Sequence, residues 1–76
     1  MADFQVLCGL VRREEFTQED FEEVKRWLKE KLSELEIIRR LSPILKRPLS
    51  ETLLKILEYR GVNLSWKNFL TYIGCE

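Results

Sequence analysis

The chain has 76 residues, of which 45% are hydrophobic and 34% are charged, with three Gly, two Pro and no His. This composition is typical of one globular, helix-prone domain spanning residues 1–76, and it excludes a disordered chain. The absence of His removes the usual acid–base catalyst at neutral pH and, with no CxxC pair, the usual zinc ligands. We therefore expect no enzyme, no metal site, no cofactor and no small-molecule substrate.

The formal net charge is zero, but the charges are unevenly distributed along the chain. Residues 1–36 carry six Lys/Arg and ten Asp/Glu, a net charge of −4, whereas residues 37–76 carry seven and three, a net charge of +4. Opposed halves of this kind can attract each other within one fold or across a dimer. Alternatively, the basic half can bind an anionic partner.

Cys8 and Cys75 lie near opposite ends of the chain, and no signal-peptide pattern precedes them. The early apolar run VLCGLV is short and has no basic residue before it, and no window reaches the length of a transmembrane helix. We therefore expect a cytoplasmic, soluble protein that does not enter a membrane. Its two cysteines are expected to be reduced and buried, with a disulfide joining the ends of the chain as the alternative.

The first predicted helix spans residues 3–13, with Asp3 as its N-cap. Its apolar residues have helical spacing, although a strand is an alternative because Gly and β-branched residues interrupt the pattern. No other segment offers an obvious partner strand. The apolar residues of this segment are Phe4, Leu7, Cys8 and Val11.

The second predicted helix, residues 18–40, has the clearest start signal. The Thr17 hydroxyl can cap the helix, and Asp20 can return the hydrogen bond in a capping box. Phe16, just outside the helix, can pack against Phe21 as a hydrophobic staple.

The length of this second helix depends on how the segment SELE is interpreted. The apolar spacing of Leu32, Leu35 and Ile38 favours one continuous helix, with Trp27 at the edge of the apolar stripe. Alternatively, Ser33 begins a second capping box, and the helix breaks there. We favour the continuous helix.

Two prolines punctuate the next segment, residues 42–49, which is expected to be irregular. Ser50 is then expected to cap a helix over residues 50–60 that ends before a left-handed Gly61.

Ser65 is expected to cap a last helix over residues 65–73. The predicted fold is therefore all-α, a compact bundle of four main helices in which the C-terminal hairpin packs against the long second helix.

The segment LLKILEYRGVNLSWKNFLTYI fits the spacing of a DNA-binding helix-turn-helix. In that interpretation Lys67, Asn68 and Thr71 contact bases, while Arg60 and the other basic residues contact phosphates. The candidate recognition helix is short and largely apolar, and the domain is neutral overall. A structural corner between two helices is therefore the favoured interpretation.

The aromatic content, 11% of the chain, is high for so small a core. Trp, Tyr and Arg dominate protein interfaces, so aromatics at the edges of apolar stripes are candidates for partner binding. We predict a partner-binding surface composed of Trp27, Arg39, Arg40, Lys46, Arg47 and Tyr72.

The order of the segments LVRREEFTQEDFEEV, LLKILEYRG and WKNFL resembles the middle helices of caspase-recruitment-type death-fold modules. The likeness is one of hydrophobic pattern over about half of the chain. The flanking helices of that family are short or missing, and no residue is diagnostic of it.

The preferred function is a small non-catalytic adaptor or regulator that binds another protein and forms a homodimer. The alternative is a helix-turn-helix DNA-binding transcriptional regulator.

Overall fold

The computed structural model describes residues 2–76, and within that range it contains five α-helices and no strand. The prediction of an all-α fold is confirmed. No helix in the described range is long and apolar enough to span a bilayer. The helices are α1 (Ala2–Arg12), α2 (Gln18–Lys29), α3 (Glu34–Leu41), α4 (Arg47–Tyr59) and α5 (Trp66–Tyr72).

The predicted continuous helix over residues 18–40 is wrong, and the alternative break at Ser33 is correct. The chain leaves α2 through Lys31, whose φ of 62° lies in the left-handed region. The Ser33 hydroxyl then accepts a hydrogen bond from the Glu36 N–H at 3.2 Å and caps α3. Local capping therefore outweighs the continuous apolar spacing. As a result Leu35 is 69% exposed, while Ile37 is fully buried.

The start of α4 also differs from the prediction. The helix begins at Arg47 with Lys46 at the N-cap, so Pro48 lies in the first turn, where a missing N–H costs no helical hydrogen bond. Ser50 is inside the helix and fully buried, and its hydroxyl donates to the carbonyls of Leu45 and Lys46. Ser50 is therefore not the predicted N-cap. Similarly, Asp3 lies in the first turn of α1 rather than at its N-cap.

Other predicted start and stop signals are confirmed. Thr17 and Asp20 form the complete capping box, with the Asp20 N–H donating to the Thr17 hydroxyl at 3.3 Å and the Thr17 N–H donating to the Asp20 carboxylate at 3.1 Å. The Ser65 hydroxyl accepts from the Asn68 N–H at 3.2 Å and caps α5. Gly61 has a φ of 67° and follows the end of α4.

Four of the five helices end in the same way, with a left-handed residue after the last turn. In each case the left-handed residue and the one after it donate their N–H groups back to the last turn, which is the Schellman arrangement. Only two of the four left-handed positions are occupied by Gly. The four residues are Glu14, Lys31, Gly61 and Gly74.

α4 packs against α1, α2 and α3, and α2 packs against α3, α4 and α5. Both helices of the C-terminal hairpin, α4 and α5, therefore pack against the second helix, as predicted, although that helix is shorter than predicted. Aromatic residues pack α5 against the start of α2: Phe21 stacks on Phe69 with ring centroids 4.8 Å apart, and Phe16 lies 6.2 Å from Phe69. All three phenylalanines are fully buried, and each side chain buried this way contributes about 1.5–3 kcal/mol.

Cys8 and Cys75 form a disulfide, so the prediction of two reduced cysteines is wrong and the alternative is correct. Their Cα atoms are 5.3 Å apart although the residues are separated by 67 positions. Gly74 makes this closure feasible because its φ of 79° turns the chain back after α5. The distance could not be read from the sequence, since it depends on how α1 and α5 are placed by the rest of the fold.

Candidate functional site

The six residues predicted to bind a partner do not form one surface. Trp27 is only 7% exposed and belongs to the core, so its predicted partial exposure is wrong. The Arg40 guanidinium covers its ring at 5.5 Å from the centroid. The indole is therefore packed where α2 meets α3, and the Arg40 guanidinium lies over its ring.

Four of the predicted basic residues lie near the α3–α4 connection. Arg39 and Arg47 line one shallow depression with the exposed Leu35, next to Ile38 and Ser42. Their charges are partly balanced locally, because Arg39 and Arg40 pair with Glu36 at 3.7 and 3.2 Å, and Arg47 pairs with Glu51 at 3.5 Å. We call Leu35, Ile38, Arg39, Ser42 and Arg47 the basic depression.

Lys46 belongs to a different part of the surface. It lies at the rim of an apolar groove between α1 and the α3–α4 connection. A single ion pair, Arg13 with Glu15 at 3.0 Å, flanks this groove. The other lining residues are Val6, Leu10, Pro43, Ile44, Leu45 and Leu49.

Tyr72 lies apart from the basic depression and takes part in an aromatic cluster. Its ring centroid is 5.5 Å from that of Phe4, on α1. The Arg60 guanidinium lies 4.7 Å from the Tyr72 ring centroid and 5.5 Å from that of Tyr59. We call Phe4, Tyr59, Arg60 and Tyr72 the aromatic–arginine surface.

The aromatic–arginine surface is open to solvent and carries an unbalanced cation. Tyr59 is 80% exposed and Tyr72 is 36% exposed. Among residues 2–76, no carboxylate lies within ion-pairing distance of Arg60. The guanidinium is held by two tyrosine rings, and its N–H groups remain available to an outside acceptor.

Local sequence explains how Arg60 reaches this position. Tyr59 is the last residue of α4, and Arg60 is its C-cap. The left-handed Gly61 then ends the helix and turns the chain towards α5. The segment EYRG therefore presents an aromatic ring and a guanidinium at a helix end, and the tertiary fold brings the Tyr72 ring to 4.7 Å from the guanidinium.

Sequence reasoning missed Phe4 and Tyr59 and assigned Arg60 only to phosphate contacts. The adjacent pair Tyr59–Arg60 before a helix-ending Gly was an available signal. Phe4 could not be assigned, because its contact with Tyr72 joins residues from opposite ends of the chain.

The residues predicted to read DNA lie on α5, which has seven residues and thus about two turns. Lys67, Asn68 and Thr71 are all exposed. The Thr71 hydroxyl donates to the Lys67 carbonyl at 3.1 Å, so its donor is used within the helix. The Arg60 guanidinium lies over the ring of Tyr72, which is at the C-terminal end of α5, whereas Lys67 is near its N-terminal end. The helix thus presents two free polar side chains rather than a dense set of base contacts.

Metal-binding clusters of three or more His, Cys, Asp or Glu residues are absent from the part of the chain that the structure describes. Comparisons with protein-family models, curated proteins and solved structures found no significant match. The resemblance to caspase-recruitment-type modules therefore gains no support from them.

Proposed function

We propose that this protein is a non-catalytic interaction module that binds another protein through its aromatic–arginine surface. The observation that carries the proposal is the position of Arg60, whose guanidinium lies over the rings of Tyr59 and Tyr72 with no carboxylate partner in the described chain. Tyr and Arg are the residue types in which binding energy concentrates at protein interfaces.

The chemistry of this surface selects a partner segment that combines a carboxylate with an apolar side chain. The carboxylate pairs with the Arg60 guanidinium in a charge-assisted, bidentate hydrogen bond. The apolar side chain packs on the exposed ring of Tyr59, which is 80% exposed in the free protein. Because two rings already orient the guanidinium, little side-chain entropy is lost when the pair forms.

A displayed peptide library tests this proposal. The oxidised protein is immobilised, and the enriched peptides are measured by fluorescence anisotropy against the wild type and a Tyr59→Ser/Arg60→Glu variant. We expect peptides that contain Asp or Glu beside an aliphatic or aromatic residue. Loss of a hot-spot pair of this kind corresponds to at least about 30-fold weaker binding.

A matched control is provided by Leu35→Ser/Arg39→Glu. It also removes one large exposed apolar side chain and reverses one arginine, but it lies in the basic depression. The control should bind the peptides as the wild type does, and circular dichroism should show both variants helical. Equal affinity of the wild type and the Tyr59→Ser/Arg60→Glu variant would contradict the proposal. If only the control variant loses affinity for the peptides, the binding site is the basic depression instead.

Self-association is a related proposal, supported by the opposed charges of the two halves. The acidic residues of α2, Glu19, Glu22 and Glu23, line one face, and the basic depression lies on α3 and α4. A homodimer that joins these faces should dissociate at high salt. Sedimentation equilibrium at low and high salt measures this, and a monomer at all concentrations would exclude the homodimer.

DNA binding is the competing proposal, favoured by the exposure of Lys67, Asn68 and Thr71 on one helix. Anisotropy of a mixed-sequence duplex at about 50 and 200 mM salt tests it, because phosphate contacts weaken steeply with salt. Tight, salt-sensitive binding that Lys67→Ala/Asn68→Ala abolishes would favour DNA. Absence of DNA binding at low salt would exclude DNA, and binding to a protein partner would then account for the basic residues.

A further inference from the structure

We propose that the Cys8–Cys75 disulfide is a redox latch that assembles the aromatic–arginine surface in oxidising conditions and releases it in reducing conditions. This inference rests on the proposed function, because it concerns the regulation of the same surface.

The disulfide links α1, which carries Phe4, to the residues just after α5, which carries Tyr72. Phe4 precedes Cys8 by one turn of α1, and Tyr72 precedes Cys75 by three residues at the end of α5. The Phe4 and Tyr72 ring centroids are 5.5 Å apart, and the Cα atoms of Cys8 and Cys75 are 5.3 Å apart. Closing the disulfide therefore sets the distance between these two rings.

Apart from the disulfide, the Phe4–Tyr72 ring contact joins α1 and α5, and most of the packing of each helix is with other elements. α1 packs mainly against α4, and α5 packs mainly against α2. The disulfide is thus the principal link between α1 and α5. Breaking it removes that link, while the packing of α2, α3 and α4 is left in place.

Small thiols can reach the disulfide. Cys8 and Cys75 are half-buried, and each is next to a glycine, Gly9 and Gly74 respectively. A shallow depression of about 220 Å³ opens at this point and is bounded by Cys8, Ile73 and both glycines. A Cβ added at Gly74 would meet nothing within 4 Å, so the approach from that side is open.

The surroundings also favour exchange. Arg12 lines the same depression as Cys8, and a nearby guanidinium stabilises a thiolate. In the exchange, the thiolate of a small thiol reductant attacks one sulfur of the disulfide, the Cys8–Cys75 bond breaks, and the other sulfur leaves as a thiolate. A second reductant thiolate attacks the reductant sulfur of the mixed disulfide and releases the remaining cysteine thiolate. The two cysteines are reduced, and two reductant thiols are oxidised to one disulfide.

Nuclear magnetic resonance of the isotopically labelled full chain tests the latch without a partner. Spectra are compared for the oxidised protein, for the same sample with excess dithiothreitol, and after reoxidation. On reduction we expect loss of the Phe4–Tyr72 ring contacts and at least tenfold faster amide exchange in α1. The amides of Leu53 and Ile37, in α4 and α3, should stay more strongly protected than those of α1, although the lower global stability speeds their exchange as well. Reoxidation should restore the first spectrum.

Two results would overturn the latch. One is persistence of the Phe4–Tyr72 contacts after reduction, and the other is loss of protection throughout α3 and α4, because a switch needs a folded reduced state. A Cys8→Ser/Cys75→Ser variant supplies the control. It should match the reduced wild type and should not respond to dithiothreitol; ring contacts in this variant would also overturn the latch.

Peptide affinity separates the latch from the proposed function. A peptide selected on the oxidised protein should bind the reduced protein at least tenfold more weakly. Equal affinity in both forms would overturn the latch and leave the interaction module standing. If no peptide binds the oxidised protein, the proposed function fails, while the resonance data still decide whether the disulfide controls the Phe4–Tyr72 contact.

Discussion

The Arg40 guanidinium lies over the indole ring of Trp27, at 5.5 Å from the ring centroid. Trp27 belongs to α2, and only 7% of its surface is exposed. Its role in this position is therefore structural.

Trp27→Ala should lower the free energy of unfolding by about 3–5 kcal/mol, because it removes a buried indole and leaves a cavity. Urea denaturation followed by circular dichroism measures the change. Arg40→Gln provides the comparison and should cost no more than about 1 kcal/mol, the contribution of an exposed cation–π contact. A Trp27→Ala variant as stable as the wild type would place the indole outside the core.

The break between α2 and α3 predicts opposite behaviour for two neighbouring apolar residues. Leu35→Ala should change the unfolding free energy by less than about 0.5 kcal/mol because Leu35 is 69% exposed. Ile37→Ala should cost about 2–5 kcal/mol because Ile37 is fully buried. Chemical denaturation of both variants measures this difference. The reverse ranking would indicate a continuous helix.

The left-handed residues after α1 and α2 offer a route to greater stability. Lys31 has a φ of 62°, a conformation that costs an L-residue about 1–2 kcal/mol and glycine almost nothing. Lys31→Gly should therefore raise the unfolding free energy by about 0.5–1 kcal/mol, after the entropy cost of glycine is included. Glu14→Gly, at a φ of 60°, should behave in the same way.

Lys55→Gly is the matched control for this prediction, since it makes the same chemical change at an exposed position inside α4. It should lower the unfolding free energy by about 1 kcal/mol. Thermal and urea denaturation show whether each substitution raises or lowers the free energy of unfolding. If Lys31→Gly and Lys55→Gly shift stability in the same direction, the left-handed conformation of Lys31 is not the controlling factor.

Reduction of the Cys8–Cys75 disulfide should cost about 4 kcal/mol according to the entropy of closing a loop of this length, within a typical range of about 2–5 kcal/mol. Denaturation with and without a phosphine reductant measures the difference. The Cys8→Ser/Cys75→Ser variant should resemble the reduced wild type and should be insensitive to the reductant. An unchanged midpoint after full reduction would contradict the expectation.

Signals that act over three or four residues could be read from the sequence. The Thr17–Asp20 box, the Ser65 cap and the left-handed Gly61 were all predicted, because each satisfies backbone groups within one turn. Where two local signals competed, as at Ser33 against the Leu32–Leu35 spacing, periodicity alone favoured the wrong outcome. The Ser33 cap keeps the Glu36 N–H bonded although the helix is broken there, so the break leaves this group with a partner.

The candidate surface was predictable only in its residue types. Tyr72 and the importance of arginine were identified from composition, but the surface brings together Phe4 of α1, Tyr59 and Arg60 at the end of α4, and Tyr72 of α5. Their proximity depends on the placement of α1 beside α5, which requires tertiary information. The disulfide is subject to the same limit, since the proximity of Cys8 and Cys75 is a property of the fold.

The disulfide closes residues 8–75 into a covalent ring, with its junction between α1 and the residues just after α5. A group attached close to either cysteine is held beside α1 and the end of α5, and hence beside the aromatic–arginine surface. Conversely, the sharp turn at Lys31–Ser33 lies elsewhere on the ring. A backbone cut there would leave two pieces, residues 1–31 and 32–76, that stay covalently joined through the Cys8–Cys75 disulfide until it is reduced.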